Sequence, residues 1–340
     1  MKDNLYPALK TYFSNEIYEC SNKKETNIFY ELSKKFRING FFEDFIRSKY
    51  QPDTLLLDKK QLHLNFIKQT KYVCEIAKKF NESAIKYRFL KGTALRMLVY
   101  KYPFQRICRD IDVYVDVKDL TKAYKTLREI GYKYIDPNCR DSCEGTRNYS
   151  RHLPKMSNED GAIVELHHKI IWTREEKKCF LSELASNNYI TSYAGDIPIN
   201  FLQLEHCLLH IIHHAKFQKT FENGPQAYID IFNILSNCNI DLDKVRSIAK
   251  QINVSTELEY ILKNINMMSN GKIVQDDIFC LMNNKKYYSN TNTQIKLAYE
   301  RLKWLPYRTS YESQIPLMSI KIIPEYIKRL LNLFSKAFQK

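Results

Sequence analysis

The sequence predicts an α+β protein in which a small mixed β-sheet lies between an N-terminal and a C-terminal helical region. Up to residue 82 and again from about residue 201, apolar side chains recur at the three- and four-residue intervals of amphipathic helices. Between these regions the pattern changes to short alternating runs bounded by turn residues, which is typical of strands. We therefore predict a helical region over 1–82, a sheet-containing core over 83–200 and a helical domain over 201–340.

The core is predicted to begin with a strand, a turn and a helix. Residues 85–90 alternate, so that Tyr87 and Phe89 fall on one side of a short strand. Gly92 and Thr93 are expected to make the turn that follows, and Thr93 to cap a helix that ends near residue 100.

Two carboxylates, Asp110 and Asp112, follow on a strand predicted over 111–116. Because side chains alternate along a strand, these two share one face. Paired carboxylates on a rigid element suit a hard cation such as Mg²⁺, and a helix N-terminus nearby suits phosphate. A helix over 119–130, stopped by Gly131, and a strand over 132–135 complete this unit.

A hairpin is predicted from 149–156 and 162–170, joined by 157–161. Glu165 and His167 lie on the polar side of its second strand. Further helices are predicted over 201–217, 225–237, 242–266, 293–304 and 322–338, with a loop over 283–293.

Several protein classes are excluded or disfavoured by composition. The 8 glycines form neither a dinucleotide-binding fingerprint nor a P-loop. No apolar run approaches a membrane span, and the first residues lack a secretory signal. The 9 cysteines form no C-x-x-C pair, which favours reduced thiols in a cytoplasmic protein without a transmembrane segment.

The net charge of +15 has two interpretations. It predicts attraction to polyanions such as nucleotides and RNA. The heavy use of lysine, asparagine, isoleucine and tyrosine also fits a compositionally biased genome, and the sequence alone leaves both readings open.

The order of these motifs resembles that of the nucleotidyltransferase superfamily that includes DNA polymerase β, and most closely the bacterial group labelled uncharacterised nucleotidyltransferases. The matching stretches are Leu90-Lys91-Gly92-Thr93-Ala94-Leu95, Arg106-x-x-x-Asp110-Ile111-Asp112-Val113, Val164-Glu165-Leu166-His167, a histidine-rich helix over 208–215, and Tyr228-Ile229-Asp230-Ile231. The likeness covers about residues 89–231 and adds a nucleotidyltransferase identity to the predicted core.

This resemblance implies a metal site and a reaction. Asp110 and Asp112 would bind two Mg²⁺ ions, with Mn²⁺ as a substitute. Glu165, on a strand expected beside that of the aspartates, would complete the catalytic metal's ligands and serve as general base. The implied reaction moves a nucleoside monophosphate from an NTP, such as ATP, to an acceptor and releases pyrophosphate. The acceptor is open among a small molecule, a protein side chain and an RNA end.

A second set of residues is expected to bind the nucleotide. Gly92 would let the backbone approach phosphate, and Lys91, Thr93 and Arg106 would hold phosphate oxygens. Arg109 is either a phosphate ligand or an ion-pair partner of the aspartates. His167 would orient Glu165 or contact the base.

Two other functions compete with this one. A basic, non-catalytic nucleotide- or RNA-binding protein could keep the fold, although three converging carboxylates argue against it. His206 and His210 share a helix face as zinc ligands do, but without the glutamate of a zinc hydrolase. The basic, amphipathic residues 322–340 fit a terminal helix docked on the protein better than a membrane-surface helix.

Overall fold

The computed structural model describes residues 5–136, 151–171, 188–219 and 225–270. Within these ranges the α-helices are α1 (Leu5–Phe13), α2 (Lys23–Lys35), α3 (Phe42–Phe45), α4 (Leu55–Glu82), α5 (Lys91–Leu98), α6 (Leu120–Glu129), α7 (Leu204–Lys219), α8 (Gln226–Asn237), α9 (Leu242–Gln251) and α10 (Ser255–Met268). The strands are β1 (Tyr18–Glu19), β2 (Ile46–Arg47), β3 (Tyr87–Phe89), β4 (Asp110–Val115), β5 (Lys133–Tyr134), β6 (Met156–Ser157), β7 (Ile163–His167), β8 (Tyr189–Ala194) and β9 (Ile197–Leu202).

Seven of these strands form one mixed sheet in the order β5-β6-β7-β4-β3-β9-β8. β4 runs parallel to β7, and β3 runs parallel to β9, whereas the other neighbouring strands are antiparallel. The sheet and the helices around it confirm the predicted α+β class. The strand that carries the two aspartates is central, so its backbone is held on both edges.

The sheet is buried because its strands are rich in β-branched and aromatic residues. Tyr87, Phe89, Val113, Leu166 and Phe201 are fully buried, and they belong to one continuous apolar cluster that runs from Ala8 to Ile265. The helical regions at both ends of the chain contribute to this same cluster, so the site elements rest on a shared core.

The N-terminal and C-terminal helical regions also touch each other directly. The rings of Phe13 and Phe232 meet edge to face with centroids 4.8 Å apart. The Ser14 hydroxyl donates a hydrogen bond of 2.9 Å to the Met268 carbonyl. Two-residue strands β1 and β2 pair in parallel within the otherwise helical N-terminal region.

The predicted order of strand, helix, aspartate strand and helix is confirmed. α6 ends just before Gly131, whose φ of +89° is a conformation that glycine adopts without strain. The predicted hairpin is also confirmed, since β6 and β7 are antiparallel and Met156 lies opposite Val164.

Three predictions of local structure are wrong. Thr93 does not cap a helix, because α5 already begins at Lys91 and Thr93 is its third residue. Residues 201 and 202 end β9, so the predicted helix over 201–217 starts only at Leu204. The helix predicted over 242–266 is two helices, α9 and α10, separated by a bend at Asn253, where φ is +57°.

The hairpin of β8 and β9 is absent from the sequence-based prediction. Its strands alternate in burial and are joined at Gly195 and Asp196, where Gly195 has a φ of +59°. The predicted helices over 293–304 and 322–338, the loop over 283–293 and the first residues of the predicted hairpin lie outside the described residues. In the part of the chain that the structure covers, every helix is too short or too polar to cross a membrane.

Candidate active site

Three carboxylates meet on two adjacent strands. Asp112 on β4 lies directly opposite Glu165 on β7, in parallel register, and Asp110 precedes Asp112 by two residues on the same face. The side chains of Asp112 and Glu165 are only 5% and 8% exposed. The prediction that the glutamate strand lies beside the aspartate strand is therefore confirmed.

Two lysines neutralise these carboxylates from different sides. The Lys155 ammonium lies 2.8 Å from Asp110 Oδ2 and 2.7 Å from Glu165 Oε1. The Lys91 ammonium contacts Asp112 Oδ1 and lies 3.8 Å from Glu165 Oε2. The cluster thus contains three negative and two positive side chains.

His167 completes the inner side of the cluster. Its Nε2 lies 2.8 Å from Asp112 Oδ1 and 3.4 Å from Glu165 Oε2, and its ring is fully buried. His152 packs beside it, with ring centroids 5.1 Å apart. Burial lowers the pKa of His152 to about 4, so this neighbour is neutral at pH 7.

The charges of the cluster keep the buried carboxylates ionised. Burial alone would raise the pKa of Asp112, but Lys91 and His167 outweigh burial and hold it below its usual value. Burial likewise opposes ionisation of Glu165, and the hydrogen bond from His167 together with the nearby Lys91 charge holds its pKa well below the usual value. Burial opposes the Lys155 charge, but hydrogen bonds to Asp110 and Glu165 raise its pKa.

Asp112, Glu165 and His167 form the one group of three potential metal ligands within the described ranges, with donor atoms all within 4.8 Å of one another. Neighbouring ligands around a cation bound at roughly 2.1 Å are about 3 Å apart. The spacings of 2.8 and 3.4 Å from His167 Nε2 are those of its contacts with the two carboxylates, and they would suit a shared cation once Nε2 has lost its proton. The predicted metal ligand Asp110 is not part of this group, and its carboxylate instead pairs with Lys155.

The turn before α5 is made by Lys91 and not by Gly92. Lys91 has a φ of +46°, whereas Gly92 is not in the left-handed region. A Cβ at Gly92 would lie 2.4 Å from Cys108 Sγ. The glycine is therefore required for the close approach of α5 to the segment that leads into β4.

The same segment is held from two further sides. The Arg96 side chain donates to the Arg106 carbonyl and to Gln69 Oε1. Gln69 Nε2 donates a 3.0 Å hydrogen bond to the Cys108 carbonyl. Helices α4 and α5 thus fix the backbone just before Asp110.

The guanidinium of Arg106 pairs with Asp230 on α8. Its Nε and Nη2 donate to the two Asp230 oxygens at 2.7 and 2.8 Å, and its Nη1 donates to the Ile107 carbonyl at 2.6 Å. The Tyr100 hydroxyl donates to the same carboxylate at 2.5 Å. Burial disfavours the Arg106 charge, but Asp230 outweighs burial and raises its pKa.

Arg109 is exposed and forms no ion pair within the described part of the chain. Arg37, in the left-handed region at φ +60°, is a nearby cation. Burial and the charge of Arg109 lower the pKa of Arg37, and the charge of Asp110 acts in the opposite direction, so these three side chains interact electrostatically. Arg37 was not predicted as a site residue.

Of the histidines of α7, His210 interacts with Lys91 and His167 of the cluster, whereas His206 interacts with Lys244 and Glu205. His206 and His210 are fully buried, and among the described residues their ring nitrogens have no hydrogen-bond partner. Burial lowers the pKa of His206 to about 4. Burial, Lys91 and Arg151 hold the pKa of His210 well below its usual value. Neither histidine belongs to the group of potential metal ligands, so the described residues contain no support for a zinc site here.

Lys155 and Asp230 are the main residues whose roles the sequence did not predict. Three residues, 153–155, lie between the pairs His152–His167 and Met156–Val164 on one strand, but only two lie between them on β7. The extra residue is a β-bulge at Pro154, and it brings Lys155 opposite Glu165. A proline next to a lysine in the predicted hairpin was the available signal. The pairing of Asp230 with Arg106 joins residues 124 positions apart, which local patterns do not reveal.

Comparisons with solved structures give matches of low similarity. One solved structure that matches is the antibiotic-resistance factor ANT(2'')-Ia, with 12% identity over 58% of this chain and 99% of that chain and a TM-score of 0.37. Another is an antigenic nucleotidyltransferase-like protein from Paracoccidioides brasiliensis, with 16% identity over 57% of this chain and 91% of that chain and a TM-score of 0.34. Similarities this low carry no functional argument.

No curated protein gives a significant match. The family model described as "Uncharacterised nucleotidyltransferase" matches residues 53–270, which is more than half of the chain and includes every predicted site residue. With the glycine, D-x-D and glutamate motifs placed around one carboxylate cluster, the chain belongs to the uncharacterised nucleotidyltransferase family.

Proposed function

We propose that this protein is a metal-dependent nucleotidyltransferase that transfers a nucleoside monophosphate from an NTP to an acceptor and releases pyrophosphate. The observation that carries the proposal is the register of β4 and β7, which sets Asp112 opposite Glu165. Asp110 lies two residues before Asp112, on the same face of β4. Three buried or half-buried carboxylates that converge on one face are costly to fold unless they bind cations.

The proposed cofactor is Mg²⁺, with Mn²⁺ as a substitute. Asp112 and Glu165 offer the oxygen donors that such cations prefer, and His167 lies within the same donor group. A bound divalent cation would neutralise charge on the phosphates and position them for attack.

Phosphate binding is supported by the start of α5. The first N–H groups of a helix lack partners within that helix, and here they belong to Lys91, Gly92 and Thr93. Lys91 is the first residue of this helix, and its ammonium contacts Asp112. We assign Lys91 and these N–H groups to the triphosphate, and we assign Arg106 the role of positioning the strand before Asp110 through Asp230.

The state of Glu165 favours cation binding over proton abstraction. Its pKa is held well below the usual value, and a carboxylate that weakly binds protons is a poor general base. The acceptor hydroxyl would therefore lose its proton to solvent or to the departing pyrophosphate.

The acceptor is proposed to carry phosphate groups, as an RNA end does. Arg109 and Arg37 are exposed cations that interact with each other and with Asp110, and the whole chain carries a net charge of +15. Both features attract polyanions. A neutral small molecule or a protein side chain would make less use of these arginines.

The test is incubation of the native chain with each of the four NTPs labelled at the α-phosphate, with Mg²⁺ or Mn²⁺ and total RNA. We expect transfer of label and release of pyrophosphate by the native protein and by Asp243→Asn, whose carboxylate is 97% exposed on α9. Asp112→Asn should abolish both. Metal-independent NTP or RNA binding, without turnover and unchanged in Asp112→Asn, would instead support a non-catalytic binding protein.

A further inference from the structure

The carboxylate cluster contains two distinct positions for a cation. We infer that the site binds one divalent cation, through Asp112, Glu165 and His167, and that the Lys155 ammonium takes the second cation position, between Asp110 and Glu165. This inference rests on the proposed function and concerns how many cations that site holds.

The two oxygens of Glu165 separate the two positions. Oε1 faces Lys155 at 2.7 Å. Oε2 faces the other way, toward His167 Nε2 at 3.4 Å and Lys91 Nζ at 3.8 Å. One carboxylate therefore has Lys155 on one side and, on the other, the position shared by Asp112 and His167, which the Lys91 ammonium also contacts.

The donor atoms sort in the same way. The donor atoms of Asp112, Glu165 and His167 all lie within 4.8 Å of one another, and Asp110 is not part of that group. Asp110 Oδ2 instead lies 2.8 Å from Lys155 Nζ, a close contact between unlike charges. Each position thus has its own set of side chains, and Glu165 alone is shared.

Lys155 is held in place by its backbone. Its carbonyl accepts a 3.0 Å hydrogen bond from the Ile135 N–H, and the bulge at Pro154 sets it across from Glu165. The backbone of Lys155 is therefore fixed across from Glu165, and its half-exposed side chain carries the ammonium into the cluster.

Charge favours one divalent cation beside the two lysines. The three carboxylates and two ammonium groups carry one net negative charge, and the buried Arg151 guanidinium also interacts with Asp112 and Glu165. One divalent cation changes the net charge of those five side chains from −1 to +1. A second would leave several like charges in a site where Asp112 and Glu165 are almost completely shielded from water.

The experiment is a titration with Mn²⁺ alone, so that no nucleotide supplies an additional binding position. Electron paramagnetic resonance reports the number of bound ions, and electron spin-echo modulation reports nitrogen ligands. We expect the native chain to bind one Mn²⁺ with a nitrogen ligand. Lys155→Met should bind two, because Asp110 and Glu165 are then free to hold a metal.

Four variants serve as controls. Lys155→Arg keeps the charge and should bind one Mn²⁺, as should Lys133→Met, which removes an exposed lysine on β5. Lys155→Met combined with Asp110→Asn should return to one. His167→Gln should lose the nitrogen signal and weaken binding by about tenfold or more. Thermal unfolding of each variant verifies that it is folded.

Two Mn²⁺ bound to the native chain would overturn the inference, as would one Mn²⁺ bound to folded Lys155→Met. A native Mn²⁺ signal without nitrogen modulation would remove His167 from the ligands. NTP turnover, measured on the same samples, separates the two proposals. A native chain that binds two Mn²⁺ and consumes NTP refutes only the single-cation inference. One that binds a single Mn²⁺, gains a second in Lys155→Met and consumes no NTP refutes only the proposed function.

Discussion

Two buried carboxylates, Glu165 and Asp230, both lie beside cations, but their surroundings differ. Asp230 is held by a two-point contact from Arg106 and a hydroxyl from Tyr100, and the pair is closed from water. Glu165 shares its cations with two other carboxylates, and its partner Lys155 is 47% exposed. The first cluster is complete within the protein, whereas in the second three carboxylates share two lysines and the charge of the nearby Arg151.

This difference separates two uses of buried charge. A guanidinium that binds both oxygens of one carboxylate fixes the relative position of two elements, here the segment before β4 and helix α8. Lysines are point charges on flexible stems, so they neutralise carboxylates without closing the site to another cation. We therefore assign Arg106 and Asp230 to positioning, and the carboxylate cluster to chemistry.

The largest effect on stability is expected at Asp230. Asp230→Asn leaves the Arg106 charge buried without a counterion, and we expect it to lower the free energy of unfolding by about 3–5 kcal/mol. Asp112→Asn removes one of three crowded negative charges and should cost less than half as much. Chemical denaturation of both variants measures the comparison.

Asp243→Asn is the control for that pair, and its exposed carboxylate should change stability by less than about 0.5 kcal/mol. If Asp112→Asn and Asp230→Asn lose the same free energy of unfolding, the two clusters do not differ in how their charges stabilise the fold.

A smaller loss is expected for Gly92→Ala. The new Cβ would meet Cys108 Sγ at 2.4 Å, and overpacking of this sort costs about 1–3 kcal/mol. Adding Cys108→Ala should recover most of the loss attributable to that contact in a double-mutant cycle. Unchanged stability together with lost NTP binding would instead assign Gly92 to phosphate approach, as the sequence first suggested.

Mild acid should act on the histidines of α7 before it acts on either cluster. The unfolded chain takes up a proton at His206 below about pH 6.5, whereas the folded chain does so only near pH 4, because burial lowers the pKa. The stability from this group is thus full above pH 6.5 and declines as the pH falls toward 4, by up to about 1.4 kcal/mol per pH unit.

His206→Phe should show a correspondingly smaller slope of unfolding free energy against pH. The exposed histidine variant His63→Gln should keep the native slope. If His206→Phe also keeps it, then burial at α7 does not control the acid response.

The smallest effect is expected at Arg109, which belongs neither to the Arg106–Asp230 pair nor to the carboxylate cluster. Arg109→Gln should leave stability within about 0.5 kcal/mol and weaken binding of RNA or triphosphate by at most about fivefold at low salt, corresponding to about 1 kcal/mol. Arg128→Gln, an exposed arginine on α6, is the matched control. Equal binding by the two variants would remove Arg109 from the site.

Much of the fold follows from local patterns. Alternation and turn residues correctly predicted β3, β4, α6 and the hairpin of β6 and β7, and the likeness to a family correctly placed Glu165 beside Asp112. The strands β8 and β9 were missed because β8 is half-exposed and β9 leads almost directly into α7. The bend at Asn253 was missed because apolar spacing continues across it.

The contacts that organise the site were harder to predict. Lys155 reaches Glu165 because of a bulge, and the extra residue reverses the alternation of faces that a regular strand of period two would have. Arg106 carries the signature of a phosphate ligand, but its partner is decided by the packing of α8 against the segment before β4. The sequence predicted that Asp112, Glu165 and His167 would gather, but the tertiary structure decides which cations face them.

The central claim is that the carboxylates of β4 and β7 form a metal-dependent nucleotidyl-transfer site. Its most direct test is pyrophosphate release from each NTP with Mg²⁺ or Mn²⁺, in the presence of total RNA, by the native chain and by Asp112→Asn. We predict release by the native chain and a loss on the order of 10³-fold, or about 4 kcal/mol, in the folded variant. Equal release by both proteins, or none by the native chain with any NTP, would contradict the account.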